Sequence, residues 1–155
     1  MSFNSTVTAT VVASVLMTTA AFAGDVTIKD SYARSATPTS PTGAAFMMLM
    51  NNSDHDVKLI GVSSEAAKRT ELHTHIDNGD GVMKMGKIEG GIVIPAGEMH
   101  MMKRGGDHVM LMGLVDPLVQ GEAIAVTFEF EKSDPMTVEI PVDNERKPEM
   151  DHSGH

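Results

Sequence analysis

Seven residues in three short segments share one spacing. "ELHTH" places His73 and His75 two apart, "VMKM" places Met83 and Met85 two apart, and "HVMLM" does the same with His108, Met110 and Met112. Successive side chains of a strand point to opposite faces, so in each segment the imidazoles and thioethers share a face if the segment is extended. Thioether sulfur is soft and uncharged, and it favours Cu(I). Zinc is usually held by His, Cys and carboxylates, and calcium and magnesium want oxygens. Residues i and i+2 on a strand lie roughly 6.6 Å apart, farther than two donors on one metal can stand. Methionine closes that gap because its three side-chain torsions let the sulfur lean in.

The elements that must position these residues read as strands. Short, β-branched, alternating segments cover 26–33, 43–50, 57–63, 69–76, 82–88, 91–94, 98–102, 108–115, 122–131 and 136–142. Turn signals punctuate them: "NNSD" at 51–54, "DNGDG" at 77–81, "EGG" at 89–91, "PAG" at 95–97 and "RGGD" at 104–107. Only "SSEAAKR" at 63–69 has the makings of a helical turn. Many short strands at this spacing predict an all-β sandwich or barrel. The turn "DNGDG" predicts a hairpin that lays "ELHTH" beside "VMKM".

Composition bounds the rest. The chain has 155 residues, enough for one domain with a real core. Residues 1–23 contain no Asp, Glu, Lys or Arg and end in Ala-Phe-Ala. They read as a secretory signal cut before Gly24, because the apolar run "VVASVLM" is short against the ~20 residues of a spanning helix. The domain is then 24–142, followed by a polar, flexible tail over 143–155 that carries Met150, His152 and His155. The tail is a candidate second ligand set, for Cu(II), which accepts imidazole and carboxylate. A net charge of −9 argues against nucleic acid and anionic membrane surfaces as partners.

There is no cysteine. That removes a lipid anchor, thiolate zinc sites, thiol catalysis and iron–sulfur chemistry, together with the thiolate that a blue-copper site requires. No His-Glu-x-x-His or nucleophile elbow is present, so the chain reads as a binding protein rather than an enzyme. Methionine is abundant instead: 14 in the chain, against five Phe, one Tyr and no Trp. Alternating Met is often core filler, and "FMMLM" reads that way, with Met48 and Met50 sharing a face with Phe46. In "GEMHMM", Met99 and Met101 fall on one face and His100 and Met102 on the other; one pair extends the His/Met face.

The run "ELHTH…DGVMKM…EGGIVIPAG…GGDHVMLMGL…PLVQGEAIAVTFEFEK…MTVEIPV" resembles the PCuAC-type periplasmic copper chaperones, from about Asp25 to Val142. The resemblance implies a cupredoxin-like, immunoglobulin-like Greek-key β-sandwich or barrel. It implies one Cu(I) held by His73, Met85, His108 and Met110 and handed on toward cytochrome c oxidase assembly. Eleven residues separate His73 from Met85 and twenty-two separate Met85 from His108, one more than the family pattern in each interval. The extra residue leaves Met83 as a rival to Met85, and His75 stands where family members often carry Met. Met112 corresponds to a packing position. The rival readings are a copper buffer that delivers to no acceptor, and a metal-free β-sandwich interaction module.

Overall fold

The structure, a computed structural model, describes residues 22–148. Among these there are eleven strands and no helix: β1 Phe22–Ala23, β2 Val26–Ser35, β3 Thr42–Asn51, β4 Val57–Ser63, β5 Ala67–Asp77, β6 Met83–Lys87, β7 Ile92–Ile94, β8 Met99–Met102, β9 His108–Leu114, β10 Ala123–Phe130 and β11 Met136–Pro141. Each segment expected as a strand from its alternation is one. Residues 63–69 hold only a tight turn at Glu65–Ala66, and β5 begins directly after it. The short β1 belongs to the segment read as a leader; the rest of that segment, residues 1–21, lies outside the described residues, as do Met150, His152 and His155.

The strands form two antiparallel sheets. The larger runs β1-β2-β3-β9-β5-β6, with β8 also on β3; the smaller runs β11-β10-β4-β7. Strands distant in sequence are neighbours, β3 with β9 and β10 with β4, the crossing pattern of Greek-key sandwiches. The sheets face each other across one core. Ala45, Met47, Leu49, Leu72, Val109 and Leu111 from the larger sheet meet Leu59, Ile94, Val126, Phe128 and Ile140 from the smaller. This is the cupredoxin-like, immunoglobulin-like sandwich expected from the sequence.

Asn51, fully buried at the end of β3, ties the two sheets. Its Nδ2 donates to the carbonyls of His55 (2.8 Å) and Ile94 (2.9 Å), and its Oδ1 accepts from the Ser53 amide (3.0 Å). A buried amide group is tolerated only when satisfied in this way. After β11, residues 143–146 remain attached. The Asp143 amide donates to the Ala33 carbonyl (2.8 Å), and Asn144 bonds to both Ser35 and Leu118.

The facing of β3 corrects one expectation. Met47 and Leu49 point into the core, whereas Met48 and Met50 are half-buried on the outer face. "FMMLM" has no polar residue, so alternation defined two faces without saying which one was wet.

Candidate metal centre

β3 has two strands in tandem along one edge. Its Met47–Met50 half pairs with β8 and its Thr42–Ala45 half with β9. The link between them, 103–107, makes a tight turn in which the Gly106 amide donates to the Lys103 carbonyl (3.0 Å). Gly105 sits at φ 81°, a conformation in which a side chain would be strained. His100 Nε2 closes the link against Asp107 Oδ2 at 2.9 Å. This excursion delivers the Gly106 carbonyl to the outer face of the sheet, just before His108.

Register then assembles that face. His73 on β5 lies directly opposite His108 on β9, and Met110 lies between Glu71 on β5 and Ala44 on β3. On the other side of β5, His75 is opposite Met85 and His73 opposite Lys87. A cavity of about 290 Å³ opens above these strands. His75, Met85, His108 and Met110 line it, with Phe46 and Arg104. Of the four ligands that the family resemblance implies, Met85, His108 and Met110 therefore share one cavity. His73 flanks it, its ring 6.1 Å from that of His108, while the His75 ring is closer at 5.4 Å. Met83 is opposite Asp77 near the hairpin end and does not line the cavity. Met112 is half-buried beside Arg69, whose Nη2 lies 3.5 Å from its sulfur.

Hydrogen bonds set the bare nitrogens. The Gly106 carbonyl accepts from His108 Nδ1 (3.0 Å) and from His75 Nδ1 (3.3 Å). A carbonyl can only accept, so both rings carry their proton on Nδ1 and present Nε2 as a free lone pair. His73 is held the other way round. Its Nε2 donates to Glu71 Oε2 at 2.9 Å, and its Nδ1 is buried with no hydrogen-bond partner. A carboxylate behind an imidazole, with the second nitrogen bare, is the arrangement that orients metal-binding histidines. The hydrogen bond from His73, aided by Lys87 and Arg69, holds the Glu71 carboxyl below its ordinary range despite partial burial. Sequence reasoning overlooked Glu71, although its place two before His73 on the same face was visible in "ELHTH".

His108 is only 2% exposed and is walled by Phe46, with ring centroids 6.0 Å apart. Burial is the main cause that pushes its pKa below the usual imidazole value; the Gly106 carbonyl opposes the shift. The ring is thus kept neutral, as a metal ligand must be. Met85, by contrast, is 53% exposed at the rim. No three His, Asp or Glu side chains among the described residues converge tightly enough to hold an ion by themselves. The mixed imidazole and thioether lining of this cavity is of the kind that suits a soft ion.

The family model described as "Putative lipoprotein LpqE-like" matches residues 26–142. "Putative lipoprotein Lxx21020" from Leifsonia xyli subsp. xyli is 35% identical over 99 residues, which are 64% of this chain and 59% of that protein's length. The copper-bound PCuAC domain from PmoF2 superposes with a TM-score of 0.65 at 23% identity, covering 79% of this chain and 96% of that domain. The protein DR1885 from Deinococcus radiodurans is similar in two solution structures. The apo form has 30% identity and TM-score 0.61, covering 93% of this chain and 95% of that one. The Cu(I) form has 32% identity and TM-score 0.59, covering 76% and 79%. The chain belongs to the LpqE-like family, and its fold is that of the PCuAC-type copper chaperones.

Proposed function

We propose that this protein is a periplasmic, non-catalytic copper chaperone. It binds one Cu(I) through imidazole and thioether donors and passes it to copper acceptors, such as the copper-site domain of cytochrome c oxidase. The observation that carries this reading is the meeting of Met85, His108 and Met110 with bare imidazole nitrogens at one cavity, in a chain without cysteine. Neutral thioethers need no deprotonation and bind less tightly than thiolates, which suits an ion that must leave again. Similarity to a copper-bound PCuAC domain and to DR1885 in its Cu(I) form supports the choice of metal. The leader-like residues 1–23 and a family of lipoprotein description support export.

The fourth ligand in this reading is His73, for its buried, unpartnered Nδ1 and its carboxylate support from Glu71. One observation favours a second version: His75, and not His73, lines the cavity with the other three. X-ray absorption of the Met99→Leu, Met101→Leu chain loaded with a single equivalent of Cu(I) tests the centre by counting sulfur and nitrogen donors. Two of each fits; an all-nitrogen shell, or no stoichiometric uptake, would remove the proposal. Transfer of Cu(I) from the loaded protein to an apo oxidase copper-site domain separates a chaperone from a buffer, which would retain its ion.

A further inference from the structure

The outer face of the larger sheet carries a second group of thioethers. In the β3–β8 register, Met48 is directly opposite Met101, and Met50 directly opposite Met99. These are two adjacent rows on one face, because Met47, Leu49 and Met102 are the residues turned into the core. The four methionine side chains therefore leave the sheet at the corners of one cross-strand rectangle. With opposed Cβ atoms about 5 Å apart and i, i+2 positions about 6.7 Å apart, its centre is roughly 4.2 Å from each corner. That distance is within reach of a methionine side chain standing off the sheet.

Packing does not account for the β8 pair. Met99 is 50% exposed and Met101 43%, on a strand that pairs only with β3 among the described residues. Wet edge strands are ordinarily blunted with Lys, Pro or short polar side chains, because apolar ones invite association. Here the edge has Met at each outward position of β8, opposite Met at each matching position of β3. Met48 and Met101 also line a cavity of about 160 Å³. It shares Phe46 and Arg104 with the cavity at His108, so the two lie side by side on the sheet.

We propose that Met48, Met50, Met99 and Met101 form a second, all-thioether site for Cu(I), separate from the His/Met centre. Four neutral soft donors on a solvent-facing rectangle exclude hard cations and leave the ion accessible to exchange. The proposal stands or falls independently of which imidazoles hold copper at the first centre.

The test is anaerobic Cu(I) titration of the full chain, labelled with ¹³C at the methionine ε-methyls. The methyls of Met48, Met50, Met99 and Met101 are expected to shift together and to saturate with an equivalent distinct from the one that moves Met85 and Met110. A chain carrying both Met99→Leu and Met101→Leu, at exposed positions where Leu keeps the apolar volume, is expected to take up one equivalent less. It should still load Met85 and Met110. If the four methyls stay in place while Met85 and Met110 shift, or if the double variant binds as much copper as the parent, the second site does not exist. Motionless Met85 and Met110 beside a shifting quartet would instead count against the first centre alone.

Discussion

Glu71→Gln separates the two candidate imidazoles. Glu71 Oε2 accepts from His73 Nε2 at 2.9 Å, while Oε1 lies 3.6 Å from Arg69 Nε and 3.7 Å from Lys87 Nζ. Gln keeps the shape but removes the charge. The bond that fixes the His73 tautomer weakens, and two cations lose the anion that offsets them beside a cation site. Loss of a partner behind a metal-bound histidine typically lowers affinity by about 10–100-fold, which is about 1.4–2.7 kcal/mol. Because Gln still accepts a hydrogen bond through its oxygen, about tenfold is expected for Glu71→Gln and a value nearer 100-fold for Glu71→Ala. The apo fold should suffer little. Both side chains are partly exposed, so the bond contributes about 1 kcal/mol, or about 4 °C in Tm. The assay is Cu(I) affinity by anaerobic competition against a chromophoric chelator, with apo Tm as the control. His73→Ala should weaken binding at least as much as Glu71→Ala, and more than His75→Ala does. If Glu71→Gln and His73→Ala both bind like the parent while His75→Ala loses affinity, His73 is not a ligand and the carboxylate argument is wrong.

Three further outcomes follow from the same structure. Burial holds His108 below the ordinary imidazole value of about 6.5, so the unfolded chain binds its proton first as pH falls. The stability His108 contributes is complete above about 6.5 and is lost downward toward the lowered folded value, and urea unfolding of the apo protein from pH 7.5 to 5 should show this slope diminished in His108→Gln. Asn51→Ala strands the Ile94 carbonyl and the Ser53 amide at the junction of the sheets, at a cost of about 3 kcal/mol read as a lower urea midpoint; a shift under about 0.5 kcal/mol would refute its role as a tie. Gly91 sits at φ 80°, and a Cβ there would collide with the Leu59 carbonyl where β4 meets β7, so Gly91→Ala should cost about 2–4 kcal/mol, whereas Gly97→Ala, which meets nothing, should cost only about 1 kcal/mol for its backbone strain.

The strands and their faces were legible because alternation is local. "HVMLM" had to put His108, Met110 and Met112 on one side and Val109 and Leu111 on the other, and it does. What a strand cannot state about itself is which side is wet. In β9 the polar His108 was the clue, yet it proved the deepest side chain of its face, because Phe46 covers it. In β3 no polar residue marks either side, and alternation alone puts Met48 and Met50 in the core when Met47 and Leu49 hold that place. The choice between His73 and His75 was beyond local reasoning for a different reason. Both share a face, and only the pairing of β5 with β9, over thirty residues away, decides which ring stands where.

The orientation of the His75 and His108 rings depends in turn on the break in the β8–β9 edge of β3. Were β8 to continue unbroken into β9, the Gly106 carbonyl would be spent in the ladder with β3. The "RGGD" turn lifts it out, and one oxygen then orients two imidazoles, His75 and His108, with the same nitrogen bare. The glycines that sequence reading treats as punctuation thus set which nitrogen of His75 and of His108 is left bare. They do so through a backbone atom, which carries no signature in residue type. The same turn sets both strands against β3, so that β8 presents Met99 and Met101 and β9 presents Met110 on one face of the sheet.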